Sequence, residues 1–151
     1  MSRAVSAPMN LDLWKSEIEN AFVVKLNACL GQLSGREVER LDFGVFPWQG
    51  GIEVSFLLTG DECDHNDIAA WPNYNVSGMS EGRWPEAVPL CKEMQRLWES
   101  DKKSSETFFR AVAEIAAADP VASLIRRFSR SPNFKTTLYD PDDKRSVNFC
   151  G

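Results

Sequence analysis

Leu41-Asp42-Phe43-Gly44-Val45-Phe46 and Ile52-Glu53-Val54-Ser55-Phe56-Leu57-Leu58 are two strand-like runs joined by Pro47-Trp48-Gln49-Gly50-Gly51. The connection has the length of a hairpin loop, and its two glycines are available for positive φ. In the second run Ile52, Val54, Phe56 and Leu58 alternate with Glu53, Ser55 and Leu57, so one face is apolar and the other partly polar. A sheet with one apolar face needs a cover, and the flanking sequence supplies it.

Upstream, Asn10 is a suitable N-cap for a long helix. Leu11, Trp14, Ile18, Phe22, Leu26, Cys29 and Leu33 recur at three- and four-residue steps on one face. Gly31 and then Ser34-Gly35 mark its end. Downstream, Ala87, Leu90 or Cys91, Met94, Leu97 and Trp98 give a second helical stripe, with Pro89 in its first turn. Ser104 or Ser105 caps a third, carried by Phe108, Phe109, Val112, Ile115 and Ala116. Asp119-Pro120 has the cap-then-proline form that opens a fourth, which buries Val121, Leu124, Ile125 and Phe128. The tail returns to alternation, with Phe134, Thr136 and Leu138 set against Lys135, Thr137 and Tyr139. After the turn Asp140-Pro141-Asp142-Asp143-Lys144, Ser146 to Cys150 is expected to pair back as a last strand. The expected architecture is α+β: a long N-terminal helix and an antiparallel sheet, hairpin plus C-terminal strands, covered by three to four helices. Residues 10–151 read as one domain after a flexible arm over residues 1–9.

At 151 residues the chain has the size of one domain with a real core. Its 17 basic and 22 acidic residues give a net charge of −5, which disfavours nucleic acid and suits a basic partner. The first ten residues lack the apolar region of a secretory signal, and no run approaches the roughly 18 apolar residues of a spanning helix. Cys29, Cys63, Cys91 and Cys150 form no CxxC pair and read as reduced thiols, so a cytoplasmic protein is expected. Asn75-Val76-Ser77 has the form of a glycosylation sequon, which carries little without a secretion signal.

Chemistry concentrates between Gly60 and Trp84, where neither the helical nor the strand period holds. The only histidine, His65, lies within Asp61-Glu62-Cys63-Asp64-His65-Asn66-Asp67, followed by Trp71, Tyr74 and Trp84. A metal site would draw on these carboxylates and His65. The EF-hand template fails, because from Asp64 onward Ile68 replaces an oxygen ligand and Ala69 the turn glycine. Cys63 and His65 could serve as thiol nucleophile and base, but the surrounding aspartates oppose thiolate formation. No GxSxG, HExxH, Walker or GxGxxG pattern is present. Trp48, Trp71, Tyr74 and Trp84 fall in loops, either as a recognition surface or folded inward over the core. Arg126, Arg127, Arg130 and Lys135 cluster near a helix end, where cations complement the helix dipole.

Trp71-Pro72-Asn73-Tyr74 and Trp84-Pro85 ahead of the helices, with Phe134 to Asp140 after them, resemble the small α+β immunity-type proteins of bacterial toxin–immunity systems. The resemblance covers the layout of most of the chain and implies a non-catalytic protein whose acidic surface occupies a basic partner. On this reading Asp61, Glu62, Asp64 and Asp67 steer association, and Trp71, Tyr74 and Trp84 supply anchors; no cofactor is expected. The rival is a small metal-dependent or thiol enzyme centred on Cys63, His65 and the neighbouring aspartates. A third possibility is an apolar ligand pocket between sheet and helices.

Overall fold

A computed structural model describes residues 9–151, so the expected arm over 1–9 lies outside the described residues except for Met9, which packs against the core. The first helix, α1 (Leu11–Gln32), starts where Asn10 accepts a hydrogen bond from the Leu13 amide at 3.1 Å. Its expected stripe is buried from Trp14 to Leu33, with Leu11 half-buried. The hairpin follows as β1 (Val38–Phe46) and β2 (Gly51–Leu58), antiparallel, with Phe43 opposite Val54. Of the two loop glycines only Gly50 takes positive φ, and a Cβ there would come within 2.8 Å of Gln95 Oε1. Helices α2 (Val88–Ser100), α3 (Ser105–Ala117) and α4 (Asp119–Ile125) bury the apolar stripes expected of them, although Leu97 and Trp98 are only half-buried. Asp119 lies inside α4 rather than at its cap, a place taken by Ala118.

The four helices lie over the apolar face of the sheet. Phe22 of α1 meets Phe43 of β1 edge-on at 5.1 Å, Trp14 meets Phe108 of α3 at 5.1 Å, and Phe56 of β2 meets Phe128 at 5.2 Å. One hydrophobic cluster joins these contacts into a single core. No helix among the described residues is long and apolar enough to cross a membrane.

Two expectations are corrected. The sheet is mixed, with order β2-β1-β3, because β3 (Arg130–Thr137) runs parallel to β1. The reason is where the chain re-enters. After α4 it returns to the end of the sheet at which β1 begins, and the Val38 amide donates to the Ser129 carbonyl at 2.7 Å. A strand starting there can only run alongside β1 in the same direction. Nor do residues 146–150 form a strand. Asn148 replaces backbone with side chain: its Oδ1 accepts from the Leu138 and Cys150 amides, and its Nδ2 donates to the Thr136 carbonyl. Only the Phe149 amide, donating to the Leu138 carbonyl, supplies a backbone bond of the expected pairing.

The long connection over 60–84 is laid along the free edge of β2. The Phe56 amide donates to the Asn73 carbonyl and the Val76 amide to the Val54 carbonyl, while Ser77 Oγ accepts from the Val54 amide. An exposed edge strand invites pairing with other chains, and this segment covers it. Before reaching that edge it crosses the polar face of the sheet, the face that carries no α-helices, at His65 to Ala69. Beyond the edge it turns to the helix side, where Trp84 enters the core.

Candidate functional site

On that helix-free face β1 presents Arg40, Asp42, Gly44 and Phe46, and β2 presents Glu53, Ser55 and Leu57, as the period of two requires. The face is roofed from one side by the central segment and from the other by the C-terminal tail. Between them lies a cavity of about 300 Å³. Asp42, Gly44, Glu53 and Ser55 belong to its floor. Ile68, Ala69 and Tyr74 of the central segment form one wall, and Tyr139 and Pro141 of the tail the other. The third possibility of the sequence reading is thus corrected in place: the apolar-lined pocket is on the far side of the sheet from the helices.

Asp42 is the buried charge at this site, with 5% of its surface exposed. Thr137, its partner across the β1–β3 pair, donates its hydroxyl to Asp42 Oδ1 at 2.6 Å. Burial pushes the Asp42 carboxyl up to about 6. The Thr137 bond and the Arg40 charge pull the other way, and Glu53 adds to the rise. Tyr74 donates its hydroxyl to Glu53 Oε1 at 2.6 Å, and partial burial together with that carboxylate holds the phenol up at about 12. Arg40 faces away from the cavity: its guanidinium lies 5.6 Å from the centre of the Trp71 ring and donates to the His65 carbonyl at 3.1 Å.

The acidic run is a structured turn held to the sheet at the His65 carbonyl, which also accepts from Trp71 Nε1 at 3.2 Å. Asp61 Oδ2 accepts from the Leu58 amide, and Asp64 Oδ1 from the Asn66 amide. Glu62, Asp64 and Asp67 are exposed and Asp61 is half-buried. Trp71 and Trp84 take the inward alternative, at 2% and 0% exposure. Trp84 stands in the main core, 5.3 Å from Phe22, and donates Nε1–H to the Ala21 carbonyl. Trp71 is buried outside that core, beneath Arg40 and the acidic turn, so neither indole can meet a partner unless what covers it moves away. Of the expected anchors only Tyr74, at 38%, reaches the surface.

The elements of the rival chemistry are not brought together. Cys63 is raised from its ordinary value, first by desolvation and then by Asp61, Asp64 and Asp67, the reverse of what a nucleophile needs. The His65 ring nitrogen Nε2 lies 3.4 Å from the Asp61 carbonyl oxygen, not against the thiol. Among the described residues no group of three or more His, Cys, Asp or Glu side chains is placed to hold a metal ion. Arg126, Arg127, Arg130 and Lys135 are all exposed, and Arg126 donates to the hydroxyl of Ser123 one turn back.

Sequence reasoning passed over Asp42, Glu53 and Tyr139. One signal was available for Asp42: an aspartate inside a strand run is uncommon, since Asp is depleted in strands. Nothing local ties it to Tyr139, because only the parallel placement of β3 brings the tail alongside. No protein-family model, no curated protein and no solved structure matches this chain.

Proposed function

We propose that this chain is a non-catalytic protein-binding protein that engages a basic partner through the helix-free face of the sheet. One observation carries the reading. The charged side chains lining the cavity, Asp42 and Glu53, are both carboxylates, and the cavity lies between two aspartate-rich segments, 61–67 and 140–143. Exposed Glu62, Asp64 and Asp67 steer association at the rim, and Tyr74 provides an amphipathic contact at the mouth. This is the role implied by the resemblance to immunity-type proteins, with the anchoring surface moved from Trp71 and Trp84 to the cavity. A cytoplasmic setting is supported by four free cysteines; burial pushes three of them, Cys29, Cys91 and Cys150, up to about 11, 12 and 12.

Affinity capture from the native lysate tests this, comparing the tagged wild-type chain with a Glu62→Gln/Asp64→Asn/Asp67→Asn variant. The expected result is one stoichiometric basic protein, retained at low salt, shed as salt rises, and held less well by the variant. A wild-type chain that emerges without a partner, or a partner held equally by both proteins, sinks the proposal.

A further inference from the structure

We infer that the cavity over Asp42 receives a primary alkylammonium group, presented as a single lysine side chain by the basic partner. The inference rests on the basic-partner reading and names what enters the site.

The floor selects for charge. Asp42 is buried in mid-strand and Glu53 lies diagonally across the β1–β2 pair, opposite Gly44. Gly44 carries no side chain, and the Phe46 ring lies over it, within 2.9 Å of where a Cβ would stand, so the cavity opens beside that ring with both carboxylates in its lining. The nearest cation in sequence, Arg40, is engaged with the Trp71 ring and the His65 carbonyl. Arg40 is near enough to pull on the Asp42 carboxyl, but the cavity lining itself holds two carboxylates and no Lys or Arg. That lining favours an incoming cation, and burial strengthens the attraction over its value in water.

The carboxylate geometry selects which cation. Thr137 already occupies Asp42 Oδ1, and Oδ2 has no donor among the described residues. Tyr74 likewise occupies Glu53 Oε1. Each carboxylate therefore keeps one oxygen without a donor among the described residues, while the other retains a single lone pair. A guanidinium fork gains most from a carboxylate with both oxygens open, whereas an ammonium is a point charge with three separately directed N–H donors. Two single oxygens suit the ammonium.

The walls select for an aliphatic stem. Phe46, Ile68 and Ala69 give apolar surface, and the rings of Tyr74 and Tyr139 add faces that attract a cation. At about 300 Å³ the cavity stands at the small end of ligand pockets, which suits one side chain rather than a large cofactor.

The test is a titration of the full chain, followed by amide chemical shifts, with Nα-acetyl-lysine-N-methylamide and its arginine and norleucine counterparts. Lysine is expected to move the Asp42, Gly44 and Ser55 amides at millimolar concentration. Arginine should bind at least several-fold more weakly, and norleucine, which keeps the stem and loses the charge, should not register. Asp42→Asn should weaken lysine binding at least tenfold. Ala69→Phe, which fills the mouth without touching a charge, should do the same, and the amide spectra report whether each variant is folded. Norleucine binding equal to lysine, or lysine binding that survives both substitutions in folded protein, overturns the inference.

The source of the amine is read by adding n-butylamine and acetyl-Lys-Lys-Lys-amide. Tighter, salt-sensitive binding of the peptide supports a protein lysine. Equal or tighter binding of butylamine overturns it in favour of a free amine. Because the titration uses the chain alone, the two proposals fail separately. Lysine binding without any captured partner sinks the basic-partner reading, and a captured partner without lysine binding sinks the cavity assignment.

Discussion

Asp42 and Trp84 show how far the fate of a side chain can depart from its local sequence. Asp42 sits between Leu41 and Phe43, both fully buried on the helix-covered face, and points the opposite way. Its ordinary value is 3.8 and its value in the fold about 6, so between those pH values the folded chain holds more protons than the unfolded one. Stability contributed by this group is therefore present at low pH and lost as pH rises through that window. Asp42→Asn should stabilise the protein by about 1–2 kcal/mol at pH 7.5, with the gain gone below about pH 4. Urea unfolding of both proteins across pH 4–8 checks the sign, and a gain that grows toward acid would refute it. Trp84 was legible as a large aromatic in a loop, yet whether it faced in or out depended on Ala21 and Phe22, some sixty residues earlier. Trp84→Ala should cost about 3–5 kcal/mol by opening a core cavity. Its measured shift in urea midpoint should far exceed that of Tyr74→Ala, whose ring is more than a third exposed.

At the scale of elements, periodicity carried well. The stripes of α1, α3 and α4 are buried much as their spacing required, because a helical face is a local property that holds wherever the helix lands. The segment 60–84 carried no period because its backbone groups are satisfied turn by turn, as in Ala70 to Asp67 and Arg83 to Gly78, while Asn73, Val76 and Ser77 tie it to the edge of β2. Ser77 is the clearest case: buried, it accepts from the Val54 amide and donates to Asn75 Oδ1. Ser77→Ala leaves the Val54 amide short of that partner and should cost about 1–3 kcal/mol. Hydrogen exchange at Val54 is the direct readout, with faster exchange expected there than at Leu41 in the centre of the sheet. Asn148 does comparable work for the tail, which explains why a strand was expected where a side chain completes the pairing. A sequence pattern does not distinguish a backbone amide from an asparagine amide that bonds in its place.

For the whole molecule, charge is the property that reaches furthest. A net −5 with exposed carboxylates around one cavity should make association fast and salt-dependent. Neutralising Glu62, Asp64 and Asp67 should slow association with a captured partner by roughly tenfold at low salt while changing dissociation much less. Surface plasmon resonance at two ionic strengths separates the two rates, and a change confined to dissociation would count against steering. Composition, helical stripes and the hairpin were determined by the sequence alone, because each depends on neighbours a few residues away. The direction of β3, the inward turn of Trp71 and Trp84, and the meeting of Asp42 with Glu53, Thr137 and Tyr139 were decided only by the tertiary structure. The contacts of Asp42 with Thr137 and Tyr139 join residues far apart in the chain, and they exist because α4 returns the backbone to the end of the sheet where β1 begins. Trp84, by contrast, turns inward because α1 offers it the Ala21 carbonyl and the Phe22 ring.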